Sequence, residues 1–492
     1  MSFLGVESQL LRESALGESN QAGVEHEVTL SNRFERVLTG IEVVLDWLTV
    51  VLAVSGGYAA YHFLNLGKRL CYNFSTLAYI SCAVALLYVI LLDRDGAYRP
   101  GNSLLRIKET ERSLRVSAQA FLLIFPVTFF SSYLFSRWVF FIVALCVPLL
   151  QVIEKQLLFV CVDALRARNI GVQNVLIYGA GANGRRILSA LLRSRKLGLK
   201  PVALVDDNPA MKGQEVFEYS YRRGPALTVI PGPVTKELIQ RHQCGMLIIA
   251  IPSLGREKFA GAVNAAQAAR VRLAYTPGHA IAAEYWTEHA DLDGIMLSVF
   301  GRPASKWQYE VTKRVFDLVV SVALIILLAP ISFLIAILIK CESRGPVFFR
   351  QQRVGKDGKL FTLYKFRSMR VDAPQYAISP TEPGDPRITR VGRFLRHTSL
   401  DELAQLINVA RGDMSLVGPR PEMPFIVAQY TPAQRQRLRV KPAITGVWQL
   451  SADRAFQIHE NIQYDLYYIQ HRSFFMDCAI LLHTFIFAMR GV

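Results

Sequence analysis

Ahead of residue 165 the sequence passes through four apolar stretches, approximately Ile41 to Leu64, Leu77 to Leu92, Ala118 to Phe135 and Trp138 to Ile153. Several approach the roughly 20 residues that cross a hydrocarbon core. Inside lipid a backbone satisfies its own polar groups only as a helix or a closed barrel. The spacing therefore predicts a four-helix transmembrane domain over 36–165, preceded by a polar segment, 1–35, with no n-region and h-region of a signal peptide. Four buried soluble helices are the alternative. The composition favours the membrane: 51% of residues are hydrophobic, yet the formal net charge is +17. Such a balance suits a membrane protein whose basic parts face anionic lipid or a phosphorylated substrate, and nothing in it calls for nucleic acid. The seven cysteines are scattered, without a CxxC pair or zinc-like spacing, so no disulfide framework is expected.

Charge around the apolar stretches sets a topology. The connection from Asp93 to Ser117 carries Arg94, Arg99, Arg106, Lys108, Arg112 and Arg115, which places it on the cytoplasmic side. Short loops around Lys68 and Arg137 then face outward, with Lys68 and Arg69 as a minor counter-signal, and both chain ends lie inside.

From Gly171 the pattern changes to alternating strands and helices, a Rossmann-like parallel sheet over 166–305. Asn174 to Tyr178, Val202 to Val205 and Met246 to Ile251 read as strands, the last stopped by Pro252. The turn Gly179-Ala180-Gly181-Ala182-Asn183-Gly184 opens a helix from Arg185, in the manner of a dinucleotide fingerprint, and Asp206 ends the second strand. Gly179, Gly181, Gly184 and Asp206 are thus candidates for binding an NAD-type nucleotide. Asp206 lies beyond the usual distance for a ribose-binding acid, and nothing nearby supplies hydride chemistry. The other reading is a module kept as a spacer or assembly surface.

Val315 to Ile339 is a fifth apolar stretch with both flanks basic: Lys313 and Arg314 precede it, and Lys340, Arg344, Arg350, Arg353, Lys356 and Lys359 follow. Both ends should lie on the cytoplasmic side. Pro330, near the middle, removes a backbone donor and bends the helix, and Ser321 and Ser332 are positioned to satisfy freed backbone groups. A re-entrant helix over 315–340 meets these constraints better than a spanning one. It opens the third domain, 306–492, mainly helical. There Pro346 to Arg353 and Leu360 to Phe366 read as a hairpin closed by Gly355 to Gly358. Phe474 to Met489, interrupted by Asp477 and His483, reads as an interfacial helix.

The densest chemistry lies between Arg387 and Glu422. Arg387, Arg390, Arg393 and Arg396 are spaced three apart and precede adjacent carboxylates, Asp401 and Glu402; Arg420 sits in the rigid turn Gly418-Pro419-Arg420-Pro421. A helix from Ser399 to Val409, with Ser399 as N-cap, puts both acids in a first turn, where the dipole favours negative charge. Carboxylates beside forked guanidinium donors suggest a site that handles phosphate and metal; a solvated charged helix is the bland alternative.

Motifs between Lys313 and Asp477 bring a family into view. They include Lys313 to Asp317, Gly345 to Phe349, Arg353 to Gly355, Tyr364 to Met369, Arg390 to Arg396, Thr398 to Leu403, Asn408, Gly412 to Pro421 and Thr445 to Gln449. With them the chain resembles the polyprenyl-phosphate hexose-1-phosphate transferases of bacterial surface-polysaccharide assembly, in particular the large undecaprenyl-phosphate galactose or glucose phosphotransferases. The resemblance implies that Asp401 is a nucleophile toward the β-phosphorus of a UDP-sugar and that UMP leaves. Undecaprenyl phosphate then attacks the sugar-phosphoryl-aspartate, so one difficult transfer becomes two steps. It implies that Glu402 helps hold Mg²⁺, that Arg396 holds a phosphate, and that Lys365, Arg367, Arg393 and Arg420 are further phosphate or carrier contacts. Pro330 matches the helix-breaking proline of the family's re-entrant helix. The expected location is the bacterial inner membrane, against its lipids, with both termini cytoplasmic. Dimerisation through the middle or membrane domain fits this architecture, although no particular residue argues for it.

Three positions depart from the family pattern: Leu403-Ala404-Gln405 for Leu-Pro-Gln, Lys441-Pro442-Ala443 for Lys-Pro-Gly, and Ala452-Asp453 with Arg454 for the usual Gly-Arg. The last bears on substrate choice. Two other functions compete. A membrane nucleotide-sugar dehydratase would use the Tyr309 to Lys313 spacing, which lacks a glycine fingerprint at the right distance. A scaffold with a degenerate transferase domain is the non-enzymatic reading.

Overall fold

The computed structural model describes residues 3–65, 72–98, 106–130, 137–193, 198–216, 227–251, 254–275, 286–292, 295–301, 306–373, 385–451 and 462–489. They fall into two compact units, Met1–Ala282 and Ala283–Val492.

The first unit opens with α1 (Phe3–Phe63), α2 (Phe74–Arg94), α3 (Arg106–Phe130) and α4 (Arg137–Ala167). Among the described residues, three segments are long and apolar enough to cross a membrane: Arg33–Phe63, Phe74–Arg94 and Arg137–Ala167. Residues 131–135 lie outside the described residues, and the described part of the third expected stretch, Ala118 to Phe130, is the C-terminal half of α3. Its N-terminal half is the segment read as a basic loop, and there the structure differs from expectation. Arg106 to Ser117 is helical because its charges find partners within the bundle. Arg112 Nη1 donates to Glu109 Oε1 at 2.8 Å, and Arg115 Nη2 to Asp95 Oδ2 at 2.7 Å. Part of the positive charge used to orient the chain is therefore neutralised. Across the bundle, Lys155 of α4 pairs with Glu42 at 2.8 Å and Asp46 at 2.9 Å on α1.

A sheet follows: β1 (Gln173–Tyr178), α5 (Ala182–Arg193), β2 (Leu199–Asp206), β3 (Glu215–Val216), β4 (Leu227–Pro231), α6 (Lys236–Arg241), β5 (Cys244–Ile249), α7 (Arg256–Ala268) and β6 (Arg272–Tyr275). Its order is β3-β4-β2-β1-β5-β6, parallel except for β3. The strand order reverses at β1, whose C-terminal end carries the glycine turn, the usual crevice of such sheets. A Cβ on Gly184 would lie 1.8 Å from the carbonyl oxygen of Gly179, so helix and turn approach too closely for any other residue. Pro252 lies outside the described residues.

The second unit contains the antiparallel pair β7 (Trp286–Leu292) and β8 (Ile295–Gly301), then α8 (Trp307–Leu327) and α9 (Ala329–Glu342), bent by 60° at Leu328. Pro330 occupies the first turn of α9, where a helix has no use for its missing N–H. Leu328 N still bonds Leu324 O and Ser332 N bonds Leu328 O, both at 2.9 Å. The break thus costs little hydrogen bonding, and Ser321, whose hydroxyl bonds Leu318 O, is not needed at it. Val315, Val319, Ile326, Leu327, Phe333 and Leu334 are exposed along the pair, an apolar surface too extensive for water.

The remaining elements are β9 (Phe348–Val354), β10 (Leu360–Phe366), α10 (Arg390–His397), a 3₁₀ turn (Leu400–Ala404), α11 (Gln405–Arg411), β11 (Ser415–Val417), α12 (Pro424–Ala428), α13 (Pro432–Arg435), β12 (Ala443–Thr445), α14 (Gln463–His471) and α15 (Phe474–Met489). β9 and β10 form the expected hairpin, with Asp357 in the left-handed region at its tip. Ile335 and Ile339 of α9, Phe366 of β10, Leu395 of α10 and Ala404 of the 3₁₀ turn share one core. That core fixes the acidic turn against the membrane-type helices.

Candidate active site

The acids stand on a corner. α10 ends at His397, and only Thr398 and Ser399 separate it from the 3₁₀ turn. The chain turns there with Ser399 at φ 55°, in the left-handed region, and no side-chain cap. The expected single helix from Ser399 to Val409, capped by the serine, is therefore a 3₁₀ turn continued by α11. α11 is pinned to β10 by Asn408, fully buried, which accepts from Tyr364 N at 3.0 Å and donates to Thr362 O at 2.7 Å. This brings Lys365 of β10 over the acids.

Glu402 is held twice. Lys365 Nζ donates to its Oε1 at 2.7 Å, and Arg420 Nη2 donates to the same oxygen at 2.8 Å. Burial opposes its ionisation, but the Arg420 and Lys365 cations outweigh burial and hold its pKa well below the usual carboxylate range. Asp401 has only a 3.8 Å pair with Lys365 among the described residues, and is 7% exposed. Burial raises its pKa, against the opposing pull of Lys365. The two adjacent acids are electrostatically unlike: one locked as an anion, one loosely held and more basic.

Arg396 anchors through Nε to Ser368 Oγ at 3.2 Å and favours the ionised form of Asp401. Gly392 permits this, since a Cβ there would lie 1.9 Å from the carbonyl oxygen of Ser368. The arginine ladder does not act as one row. Arg390 and Arg393 are exposed on α10, and Arg387 pairs with Asp385 at 2.7 Å. Arg353, absent from the sequence-derived site, lies close enough to Arg420 that burial and then that guanidinium lower its pKa to about 10. Four cations, Lys365, Arg353, Arg396 and Arg420, thus surround two carboxylates, an excess suited to a polyanionic substrate.

Other expected residues serve elsewhere. Arg367, 5% exposed, donates to Arg344 O at 3.0 Å, Ser343 O at 2.9 Å and Ser343 Oγ at 2.8 Å. It closes the C-terminal end of α9, as a cation should at the negative end of a helix, and none of these contacts is with Asp401 or Glu402. Arg314 donates to Val409 O at 2.7 Å and Ala410 O at 2.8 Å, and Asp317 accepts from Leu416 N at 3.2 Å. Both residues bind α8 to the site's own elements. Tyr309 and Lys313, the dehydratase-like spacing, both donate to Asp477 Oδ2 at 2.8 Å. Asp477, expected to interrupt an interfacial helix, is buried on the face of α15 turned into the unit. Ala443, where the family has glycine, is buried in β12 without a positive φ, so its Cβ is accommodated. Ala452, Asp453 and Arg454 lie outside the described residues.

In the first unit, Gly179 adopts φ 114° and open space faces Gly181, but Asp206 Oδ2 itself accepts from Ala180 N of the glycine turn at 2.7 Å. The turn's amide is engaged by the chain's own carboxylate. For metal, no group of three or more His, Cys, Asp or Glu side chains gathers among the described residues. Mg²⁺ commonly takes one or two carboxylates plus substrate phosphates. The acid pair fits that set, with Glu402 Oε2 left by the two donors on Oε1.

Sequence comparison bears on what this site belongs to. The family described as bacterial sugar transferase matches residues 308–491, and a CoA-binding domain family matches residues 93–277. The exopolysaccharide production protein PSS of Rhizobium leguminosarum bv. phaseoli is 40% identical over 186 residues, 35% of this chain and 93% of that protein. The undecaprenyl-phosphate galactose phosphotransferase of Salmonella typhimurium is 29% identical over 391 residues, 72% of this chain and 75% of that protein. The undecaprenyl-phosphate glucose phosphotransferase of Komagataeibacter xylinus is 42% identical over 195 residues, a match spanning 36% of its length. With the acid turn, its cations and nearly the whole of one relative accounted for, the chain belongs to the bacterial sugar transferase family.

Proposed function

We propose that this membrane protein transfers a hexose-1-phosphate from a UDP-sugar, UDP-glucose or UDP-galactose, to undecaprenyl phosphate, releasing UMP. The observation that carries the reading is the unequal treatment of adjacent acids: Glu402 doubly held, Asp401 nearly free. In the first step an Asp401 oxygen forms a bond to the β-phosphorus as the bond to the UMP oxygen breaks, which leaves a sugar-phosphoryl-aspartate. In the second a phosphate oxygen of the lipid carrier bonds the same phosphorus, and the carboxylate leaves. Lys365, Arg420, Arg353 and Arg396 neutralise the phosphoryl oxygens, a stabilisation that strengthens as charge redistributes. Glu402 is the residue that would hold Mg²⁺, whose charge would offset that of the leaving diphosphate oxygen.

The same reading makes α3 a fourth span and the bent pair α8–α9 re-entrant. Both chain ends, and the site, then face the cytoplasm at the inner membrane, where a soluble donor and a lipid phosphate meet. For the middle sheet we favour a spacer or assembly role over nucleotide binding, because Asp206 engages the glycine turn. The product would begin assembly of an exopolysaccharide, capsule or O-antigen.

Purified full-length protein with a panel of UDP-hexoses, Mg²⁺ and undecaprenyl phosphate tests this. UMP should appear with at least one donor, and a labelled sugar phosphate should be trapped on the protein when the carrier is withheld. Asp401→Asn should abolish both; full UMP release by that variant would remove Asp401 as nucleophile. NAD-dependent sugar conversion without UMP would favour the dehydratase, although Tyr309 and Lys313 are committed to Asp477. Neither activity would favour the scaffold.

A further inference from the structure

Beneath the turn that carries Arg420 lies a buried ionic group that the transfer mechanism does not use. Arg437 is 3% exposed. Its Nε donates to Asp465 Oδ2 at 2.6 Å, its Nη1 to Glu422 Oε2 at 2.7 Å and also to Tyr430, and its Nη2 to the carbonyl oxygen of Arg420 at 3.0 Å. Tyr430 donates to Glu422 in turn. Glu422 and Asp465 are themselves buried, and Asp465 arrives from α14.

Stability alone does not account for this arrangement. A buried arginine with two carboxylates carries a desolvation cost that its ion pairs often fail to recover, and apolar substitutes of similar volume are frequently as stable or more so. What the group supplies is geometry. Three successive carbonyls are each taken by a donor: Arg420 O by Arg437, Pro421 O by Arg353 Nη1 at 3.4 Å, and Glu422 O by Val354 N at 3.1 Å. Pro419 and Pro421 already restrict the backbone on either side. The end left to reach outward is the Arg420 guanidinium, on Glu402 Oε1 at 2.8 Å. Glu422 and Asp465 meanwhile hold the Arg437 guanidinium beneath the turn.

We propose that Arg437 is a positioning residue, which fixes the Arg420 backbone through its carbonyl and thereby sets the orientation of Glu402. The inference rests on the transferase reading for its kinetic consequence and on the geometry alone for its structural one. Lysine at 437 retains a buried cation but has no planar fork to join Asp465, Glu422 and the Arg420 carbonyl at once.

The test uses full-length protein in detergent or nanodiscs, with Arg437→Lys, Arg420→Ala and the double variant. Arg437→Lys should lower kcat for UMP release by about 100-fold, the scale of a small misplacement in an active site, with KM for the UDP-sugar little changed. In the Arg420→Ala background the same substitution should cost less than about 3-fold, because coupled residues are non-additive. Hydrogen exchange at the amides of Gly418, Arg420 and Glu422 should quicken in Arg437→Lys and not in the β9–β10 hairpin. Equal losses in both backgrounds, or unchanged exchange at the turn, would overturn the proposal. Should Arg437→Lys fail to fold, Glu422→Gln keeps the side-chain shape and should show the same coupling in weaker form. Wild-type protein runs in parallel. If it releases no UMP, the transferase reading fails and the exchange measurement still decides the positioning role.

Discussion

Asp401 and Glu402 differ by one methylene and one position, yet their surroundings shift their acidities in opposite directions. Lys365 is the lever between them, at 2.7 Å from Glu402 and 3.8 Å from Asp401. On the proposed mechanism Asp401 is ionised to attack, and burial raises its pKa, so the acid limb of activity is expected at higher pH than an exposed aspartate would give. The Lys365 ammonium lowers that pKa, so Lys365→Met should raise it further. The acid limb of kcat/KM should then move to higher pH; a limb that stays put or moves down would remove Lys365 from the environment of Asp401. Arg367 makes the contrasting case. Because its guanidinium closes α9, Arg367→Ala should destabilise by about 2 kcal/mol, the value of hydrogen bonds to a charged group. A lower Tm with an unchanged KM for the donor is expected, and the reverse pattern would return Arg367 to the phosphate site.

At the scale of elements, local chemistry was readable and long-range chemistry was not. The β9–β10 hairpin and the break at Pro330 follow from turn residues and proline geometry, both short-range. The single helix expected from Ser399 is absent because the corner is imposed from outside: the core around Leu395 and Ala404 leaves two residues to turn the chain, and Ser399 takes a positive φ. Linear spacing also misled for the arginines, since a period of three drifts around a helix of 3.6 residues per turn. Arg396 therefore reaches Ser368 and the acids, whereas Arg390 and Arg393 are exposed on α10. Glu422, Arg437 and Asp465 carry no mutual spacing at all, and only the fold unites them. Asn408 illustrates a side chain that ties two elements together. Asn408→Ala would remove the partner of the half-buried Tyr364 N and Thr362 O, costing about 2 kcal/mol. A fall in Tm together with weakened Lys365 function would mark it as the link between β10 and α11.

For the whole molecule, the apolar stretches and the alternating pattern were legible because each is written in composition over many residues. The second unit has its own core, and the Rhizobium relative consists almost wholly of the matching segment. A chain beginning shortly before Trp307, kept in membranes, is therefore expected to release UMP; loss of activity with folding intact would show that the first unit contributes to catalysis. Topology has its own test through Cys341, exposed where α9 ends. In a variant retaining only this cysteine, a membrane-impermeant thiol reagent should label inverted vesicles and spare intact spheroplasts. The opposite pattern would make α8–α9 a span. Arg314 and Asp317 add a mechanical dimension, since α8 grips the last turn of α11 and the backbone of β11. A bilayer that is too thick or too thin shifts and tilts its helices at a modest cost per ångström. Here such a tilt would pull on the segment that follows Asp401 and Glu402. Acyl-chain length in reconstituted vesicles should thus tune kcat with the sequence unchanged, making the membrane a working part of the catalyst.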